Sequence, residues 1–143
     1  MNSGAIDRRV RLDVDVMHEK AENRPSRKAI LCIDDNDGIL AYHRTLLERV
    51  GFEVLAVTSA TEGLQIAVNC AVAAVIVDYN MPEMNGHEVA TAIKRVKPHI
   101  PIVMVSGDNV IPEDVLKVVD AFVPKDDAHI RLLPLLTRIC AGS

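Results

Sequence analysis

The sequence is poor in several features that mark particular classes of protein. It has no Trp, and aromatic residues make up 3% of its 143 residues, so few rings are available to stack on nucleic-acid bases. No apolar run reaches the roughly 18 residues that a membrane-spanning helix needs, and the N-terminus lacks the apolar core of a secretory signal. The glycine-rich motifs of nucleotide-binding loops are missing as well. We therefore expect a cytoplasmic protein without direct contact to nucleic acid or membrane.

Cysteine is scarce too. Cys32, Cys70 and Cys140 lie far apart, and no C-x-x-C pair is present. This spacing argues against both a disulfide framework and a zinc site. Cys32 lies inside an apolar run, where a free cysteine packs like a small apolar residue.

Charge is unevenly spread along the chain. Residues 1–28 contain seven Lys/Arg and five Asp/Glu, whereas residues 29–143 contain nine and fifteen. Residues 1–27 are rich in charge and show no sustained periodicity, which predicts a flexible N-terminal arm. An alternating stretch from Val10 to Val16 leaves a short exposed strand as the alternative. Residues 28–143 are predicted to form one domain.

From Lys28 onward, five apolar runs alternate with five helical patterns. The predicted strands are Ala29–Ile33, Glu53–Val57, Val72–Val77, Ile100–Val105 and Ala121–Val123. The predicted helices are Ile39–Val50, a helix that opens with Ser59 and Glu62 as a capping box, Gly86–Val96 after an Asn85 cap, Pro112–Val119 and His129–Cys140. This alternation predicts an α/β fold, a doubly wound, five-stranded parallel sheet. The flavodoxin-like strand order 2-1-3-4-5 is the one we expect.

Polar residues stand where the apolar strands end. Asp34 and Asp35 follow the first strand, Asp78 follows the third, Ser106 the fourth, and Lys125 lies just beyond the fifth. In an open parallel sheet, ligands bind beyond the carboxyl ends of the strands, at the point where the strand order reverses. The predicted order makes the first and third strands neighbours, so the three aspartates should form one cluster.

A cluster of three carboxylates needs a cation, because the like charges repel one another. Oxygen ligands of this kind suit Mg²⁺. Asp78 could then attack phosphorus and form an aspartyl phosphate, while Lys125 and Ser106 stabilise the phosphoryl charge. Each residue alone also has an ordinary structural interpretation, such as a helix cap at Asp34, Asp35 or Asn36. Their placement at successive strand ends favours the chemical interpretation.

The stretch that begins at Asp78 carries a resemblance to a known family. The pattern D-x-x-M-P-x-M-x-G is present at Asp78, Met81, Pro82, Met84 and Gly86. With the acidic pair, Ser106 and Lys125, the chain from about Lys28 to Cys140 resembles the receiver domain of two-component response regulators, which has the CheY-like fold. Phe122 matches the aromatic residue that family members reorient on activation.

The resemblance implies a phosphoacceptor that signals through contact with other proteins. Asp78 would accept a phosphoryl group from a sensor histidine kinase or a histidine phosphotransfer protein. Asp35, Asp78 and the backbone carbonyl of Asn80 would ligate Mg²⁺, with Asp34 acting mostly through water. Ser106 and Phe122 would move as a switch read by a downstream protein effector.

The same resemblance implies little beyond this switch. It implies no enzymatic activity apart from slow self-dephosphorylation, and a monomer or weak dimer. Because few residues follow the last helix, we also expect no attached output domain.

Two departures and two rival functions stand beside this interpretation. The family usually has Pro after the lysine, in a cis peptide, whereas Asp126 follows Lys125 here, so this loop is either trans or strained. The segment from Ser106 to Lys125 is also short.

Two other functions compete with that of a phosphoacceptor. One is a phosphorylation-independent receiver-like scaffold. The other is a phosphatase with an Asp nucleophile, but such enzymes usually have a D-x-D pattern, which Asp34-Asp35-Asn36 does not fit. The remaining histidines, His43 among them, are expected at the surface or at helix caps.

Overall fold

The computed structural model describes residues 27–108 and 110–141. They form a single five-stranded sheet of parallel strands in the order β2-β1-β3-β4-β5. The strands are β1 Ala29–Ile33, β2 Glu53–Val57, β3 Ala74–Asp78, β4 Ile102–Ser106 and β5 Ala121–Pro124. The α-helices are α1 Asp37–Glu48, α2 Ala60–Asn69, α3 Gly86–Val96, α4 Glu113–Leu116 and α5 Ala128–Ala141. The predicted flavodoxin-like fold is therefore confirmed.

The core lies on both faces of this sheet. In β1, Leu31 and Ile33 pack in one apolar cluster with α2, α3 and α4, whereas Ile30 and Cys32 pack in a second cluster with α1 and α5. All residues of β1, β3 and β4 are buried. Strands covered on both faces need apolar side chains without alternation, which is the pattern that predicted them.

Side-chain caps set the starts of α1, α2 and α3. The side chain of Asn36 accepts a hydrogen bond from the N–H of Ile39 at the start of α1. Asn85 and Glu88 form a complete capping box at the start of α3. For α2, the N-cap half of the predicted capping box is present, because the Ser59 hydroxyl accepts a hydrogen bond from the N–H of Glu62. Asn36, rather than Asp34 or Asp35, is thus the cap of the first helix.

Several predicted boundaries were wrong. Helix α1 ends at Glu48, two residues early, and Gly51 then turns the chain with a φ of +100°. Helix α4 is a single turn and not two. Strand β4 begins at Ile102, after Pro101, which has no N–H for the ladder. Pro134 within the last helical pattern predicts a kink or a late start. Helix α5 begins at Ala128 and runs through this proline, so a late start is wrong.

All three cysteines are buried outside any disulfide, and burial raises the pKa of the Cys32 thiol to about 12, so that it stays protonated at neutral pH. The predicted arm, residues 1–27, lies almost entirely outside the described residues and stays a prediction. Among the described helices, none has the length and apolar character to cross a membrane.

Candidate functional site

An acidic cluster lies at the carboxyl edge of the sheet, where β1 and β3 end side by side. Asp34 directly follows β1, and Asp78 is the last residue of β3. One oxygen from each of the Asp34, Asp35 and Asp78 carboxylates lies within 4.8 Å of the other two. Asp34 and Asp78 are each 1% exposed, whereas Asp35 is exposed. The structure therefore brings together the three carboxylates that the sequence predicted to meet.

Lys125 brings a positive charge to this cluster. Its Nζ lies 3.2 Å from Oδ1 of Asp78 and 3.5 Å from Oδ2 of Asp34. The residue begins a short 3-10 turn directly after β5. In the described part of the chain every peptide bond is trans, the one between Lys125 and Asp126 included. Lys125 thus reaches the carboxylates from a loop of ordinary trans geometry.

The electrostatics of the cluster show a surplus of negative charge. Burial, followed by the nearby Asp34 carboxylate, raises the pKa of Asp78 to about 6, although Lys125 and the N–H of Asn80 act in the opposite direction. Burial by itself lowers the pKa of Lys125, but the two carboxylates outweigh it and raise that pKa above its usual value. One lysine does not balance these carboxylates, as expected of a site built to hold a further cation.

Asp34 carries the most direct sign of such a cation. Its Oδ1 accepts a hydrogen bond from the N–H of Asn36 at 2.9 Å. Its Oδ2 is buried and has no hydrogen-bond partner among the described residues, and the Lys125 ammonium at 3.5 Å is at the outer limit of such a bond. Leaving a buried charged oxygen without a hydrogen bond costs free energy. A hydrated Mg²⁺, which prefers carboxylate and water oxygens, fits this donor set.

The loop after β3, residues 79–85, carries the remaining predicted ligand. Asn80 is exposed, and its N–H donates to Oδ1 of Asp78 at 3.4 Å, so the residue lies beside the cluster. The loop closes through the N–H of Gly86, which donates to the carbonyl of Tyr79 at 2.8 Å. A Cβ at Gly86 would lie 2.5 Å from the carbonyl oxygen of Asp78. Glycine therefore allows α3 to start directly against the backbone of Asp78.

The predicted switch residues lie at the same edge of the sheet. Ser106 is the last residue of β4, fully buried, and its Oγ accepts a hydrogen bond from the N–H of Asp108 at 3.0 Å. Its register partner on β5 is Pro124, directly before Lys125. Phe122 is half-buried and packs against the core cluster on the α2–α4 face. The positions suit a switch, and the motions themselves stay a prediction.

Two residues of interest were missed or misjudged. The expectation that His43 lies at the surface or a cap is wrong, because it is 3% exposed and its Nδ1 has no hydrogen-bond partner among the described residues. Its position on the apolar stripe of α1, between Leu40 and Leu47, could have shown this. Glu83, which reaches the first turn of α2, was not singled out. No pattern in the sequence marks a contact between residues this far apart.

A parallel sheet in this order, with three carboxylates and a lysine at its carboxyl edge, defines a receiver-type α/β domain. Comparison with known proteins agrees. The family described as the response regulator receiver domain matches residues 30–128, and the chain belongs to that family.

The chain is also similar to several curated proteins and solved structures. The chain is 31% identical over 86 residues to the transcriptional regulatory protein GlrR of Escherichia coli, and 34% identical over 88 residues to nodulation protein W of Bradyrhizobium diazoefficiens. These matches cover 60% and 61% of this chain, but 19% and 39% of those longer proteins.

Among solved structures, the response regulator TrrA of Thermotoga maritima, in complex with Mg²⁺-BeF, has a TM-score of 0.74 at 25% identity. It covers 78% of this chain and 98% of its own. A receiver domain protein from Clostridium thermocellum has a TM-score of 0.74 at 30% identity, with 80% and 95% covered.

Proposed function

We propose that this receiver domain is a phosphoacceptor that takes a phosphoryl group on Asp78, with Mg²⁺ bound, and signals through protein–protein contact. The donor would be a phosphohistidine on a sensor histidine kinase or a histidine phosphotransfer protein. One observation carries the proposal: the Asp78 carboxylate stands at the end of β3, 3.2 Å from Lys125 and beside a second buried carboxylate. A structural ion pair would need one carboxylate for one lysine, whereas this site gathers three.

Asp34, Asp35 and Asp78, with the backbone carbonyl of Asn80, are the residues that would hold the metal ion. The buried Oδ2 of Asp34, which has no hydrogen-bond partner among the described residues and only a long contact to Lys125, supports this assignment together with the surplus of negative charge. When bound, Mg²⁺ would offset the carboxylate charge and the charge of the phosphoryl oxygens. The ionised form of Asp78 is the one that attacks phosphorus. With a pKa of about 6, Asp78 is mostly ionised at neutral pH, and the positive charge of a bound metal ion would lower that pKa further.

In the transfer step, a carboxylate oxygen of Asp78 forms a bond to phosphorus as the bond from phosphorus to the donor nitrogen breaks. The electron pair of the broken bond stays with the imidazole nitrogen. The Lys125 ammonium and the Ser106 hydroxyl, at the same edge of the sheet, would stabilise the phosphoryl oxygens. Movement of Ser106 toward the phosphoryl oxygens, with Phe122 turning inward, would then change the surface near α4. A local charge change of this kind biases a two-state element.

A second line of apolar residues on α1, separate from its buried face, supports docking of the donor protein near Asp78. Ile39, Tyr42 and Leu46 follow helical spacing on α1, and Val50 continues their line just beyond the end of the helix. Tyr42 and Val50 are 45% and 54% exposed. The line starts one turn beyond the acidic cluster, since α1 follows Asp34 and Asp35 directly. Exposed apolar surface of this kind is typical of a contact site. We propose that the domain acts in the cytoplasm as a monomer or weak dimer and passes its signal to a protein effector.

The domain itself is proposed to have no enzymatic activity beyond slow self-dephosphorylation, and to make no direct contact with nucleic acid. The transcriptional regulators among its relatives are longer than the matched segment. A phosphorylation-independent scaffold is the alternative. Incubation with acetyl phosphate and Mg²⁺ separates the two, because a phosphoacceptor gains one phosphoryl group that hydroxylamine removes, whereas a scaffold gains none.

A further inference from the structure

Glu83 ties the loop after β3 to the first turn of α2. Its Oε1 accepts hydrogen bonds from the Ser59 hydroxyl at 3.2 Å and from the N–H of Ala60 at 3.1 Å. The same hydroxyl accepts from the N–H of Glu62 at 3.2 Å. A hydroxyl has one proton to donate and lone pairs to accept with, so Ser59 can serve both contacts at once. We call this set of contacts the Glu83 latch.

The latch holds the middle of a loop that is otherwise fixed at its ends. Near its start, the N–H of Asn80 donates to Asp78, and at its end Gly86 donates to Tyr79. Between these points, Met81 and Met84 pack against the core. The side-chain hydrogen bonds that the structure gives to residues 81–84 are those of Glu83.

The electrostatics favour a carboxylate in this position. The first turn of a helix has unpaired N–H groups and a partial positive charge, so an anion there is stabilised. Hydrogen bonds that involve a charged partner are stronger than neutral ones. Glu83 itself is exposed, so solvent weakens these bonds. The latch is therefore expected to bias the loop toward one conformation without contributing much to global stability.

We infer that Glu83 is a positioning residue for the site at Asp78. This inference rests on the proposed function. Glu83 touches neither the metal site nor Asp78, but it restricts the loop that carries Asn80, a proposed ligand. A loop already held in its bound conformation loses less entropy when Mg²⁺ binds. Without the latch, that entropy cost reduces the affinity for Mg²⁺.

The test measures Mg²⁺ binding to the unphosphorylated full chain by calorimetry or NMR titration, for the wild type and three variants. Glu83→Ala should raise the Kd for Mg²⁺ about 3- to 10-fold, at or just below the range known for outer-shell partners of metal ligands. Glu83→Gln, which keeps an acceptor oxygen of the same reach, should retain most of the affinity. In Glu83→Ala, amide exchange across residues 79–85 should also be faster in the metal-free protein.

Glu62→Ala is the matched control, because Glu62 is also an acidic residue in the first turn of α2 but is not part of the loop. It should leave the Kd for Mg²⁺ unchanged. Equal Kd values for wild type and Glu83→Ala would overturn the positioning role, and so would an equal loss in Glu62→Ala. If the wild type itself does not bind Mg²⁺, the proposed function and this inference both fail. The wild-type titration thus separates failure of the function from failure of the latch alone.

Discussion

The ammonium of Lys125 lies 3.2 Å from the Asp78 carboxylate, although the peptide bond that follows Lys125 is trans. Strand β5 ends at Pro124 in an extended conformation, and the 3-10 turn begins with the lysine. The chain therefore reaches the acidic cluster without the cis proline that the family usually has at the next position. The departure at Asp126 alters the sequence of this loop but leaves the lysine in contact with Asp78.

The raised pKa of Asp78 predicts how stability depends on pH in the absence of metal. The folded state holds the Asp78 proton up to about pH 6, whereas the unfolded chain releases it near the ordinary value of 3.8. Stability from this group is therefore present below about pH 4 and is lost as pH rises to about 6. Asp78→Asn should remove this loss and raise the free energy of unfolding at pH 7.5 by about 1–2 kcal/mol. This is less than the roughly 3 kcal/mol that a pKa shift of this size corresponds to, because the variant also loses the charge pair with Lys125.

Urea denaturation of both proteins at pH 5 and pH 7.5, with EDTA present, measures this effect. The difference between wild type and Asp78→Asn should shrink at pH 5. Added Mg²⁺ should stabilise the wild type more than the variant, because the ion binds the folded state. A variant that is less stable than the wild type at pH 7.5 without metal would contradict the charge balance described for the site.

The protonation of His43 should make stability depend on pH in the opposite direction to that of Asp78. Burial lowers its pKa, opposed by Asp34 and assisted by Lys125. As the pH falls, His43 therefore binds a proton in the unfolded chain before it does so in the folded chain. Stability is lost as pH falls below about 6.5, the ordinary pKa of histidine. His43→Leu fills a similar volume without an unpaired Nδ1. It should be more stable by about 1 kcal/mol at pH 8, the lower end of the cost of an unsatisfied buried group.

The advantage of His43→Leu should grow as the pH is lowered to 5.5, measured by urea denaturation. His99→Leu, at an exposed histidine, is the control and should show no such trend. A constant difference across this pH range would mean that protonation of His43 does not oppose folding.

Gly86→Ala should disturb Asp78 through the backbone. The new Cβ would lie 2.5 Å from the Asp78 carbonyl oxygen and 2.9 Å from the Tyr79 Cα, and backbone atoms cannot turn aside. We expect a loss of about 1–3 kcal/mol, typical of overpacking, and slower phosphorylation by acetyl phosphate. In Gly38→Ala, the nearest atom is the end of the Asn36 side chain at 3.2 Å, so this control should be close to neutral. Equal behaviour of the two variants would contradict the close approach of α3 to β3.

Most of the fold could be predicted because burial on both faces leaves a continuous apolar run in each central strand. The bounds of β1 were predicted correctly for this reason, and those of α3 because Asn85 marks a helix start. The bounds of β2, a partly buried edge strand, were also predicted correctly from its short apolar run. Helix α4 was drawn too long because Val118 and Val119 are apolar and near helical spacing, yet they pack on the core after the helix has ended. Apolar spacing reports burial and does not by itself report helical backbone.

The site was predictable to a similar extent. Asp34, Asp35, Asp78 and Lys125 were found because parallel strands place their carboxyl ends at one edge. The Glu83 latch was not found, because it joins the loop after β3 to the first turn of α2 through a tertiary contact that leaves no local pattern. Role assignments for Asn80, Ser106 and Phe122 rest on resemblance and stay predictions, since no distance in the structure decides how they move.

Helix α4 should be among the least stable elements. It has a single turn without a side-chain cap, and Val115 is its one buried residue. Such short helices are marginal without tertiary support. Amide exchange at residues 113–119 should be fast in the unmodified protein and slower after phosphorylation. Protection equal to that of β3 before phosphorylation would contradict this prediction.

The most direct measurement is the intact mass of the protein after incubation with acetyl phosphate and Mg²⁺. The wild type should gain one phosphoryl group, which is lost on treatment with hydroxylamine because the linkage is an acyl phosphate. Asp78→Asn should gain none, since the amide keeps the shape but removes the anionic nucleophile. The account is contradicted if the wild type gains no mass under saturating donor and Mg²⁺, or if Asp78→Asn gains the same mass.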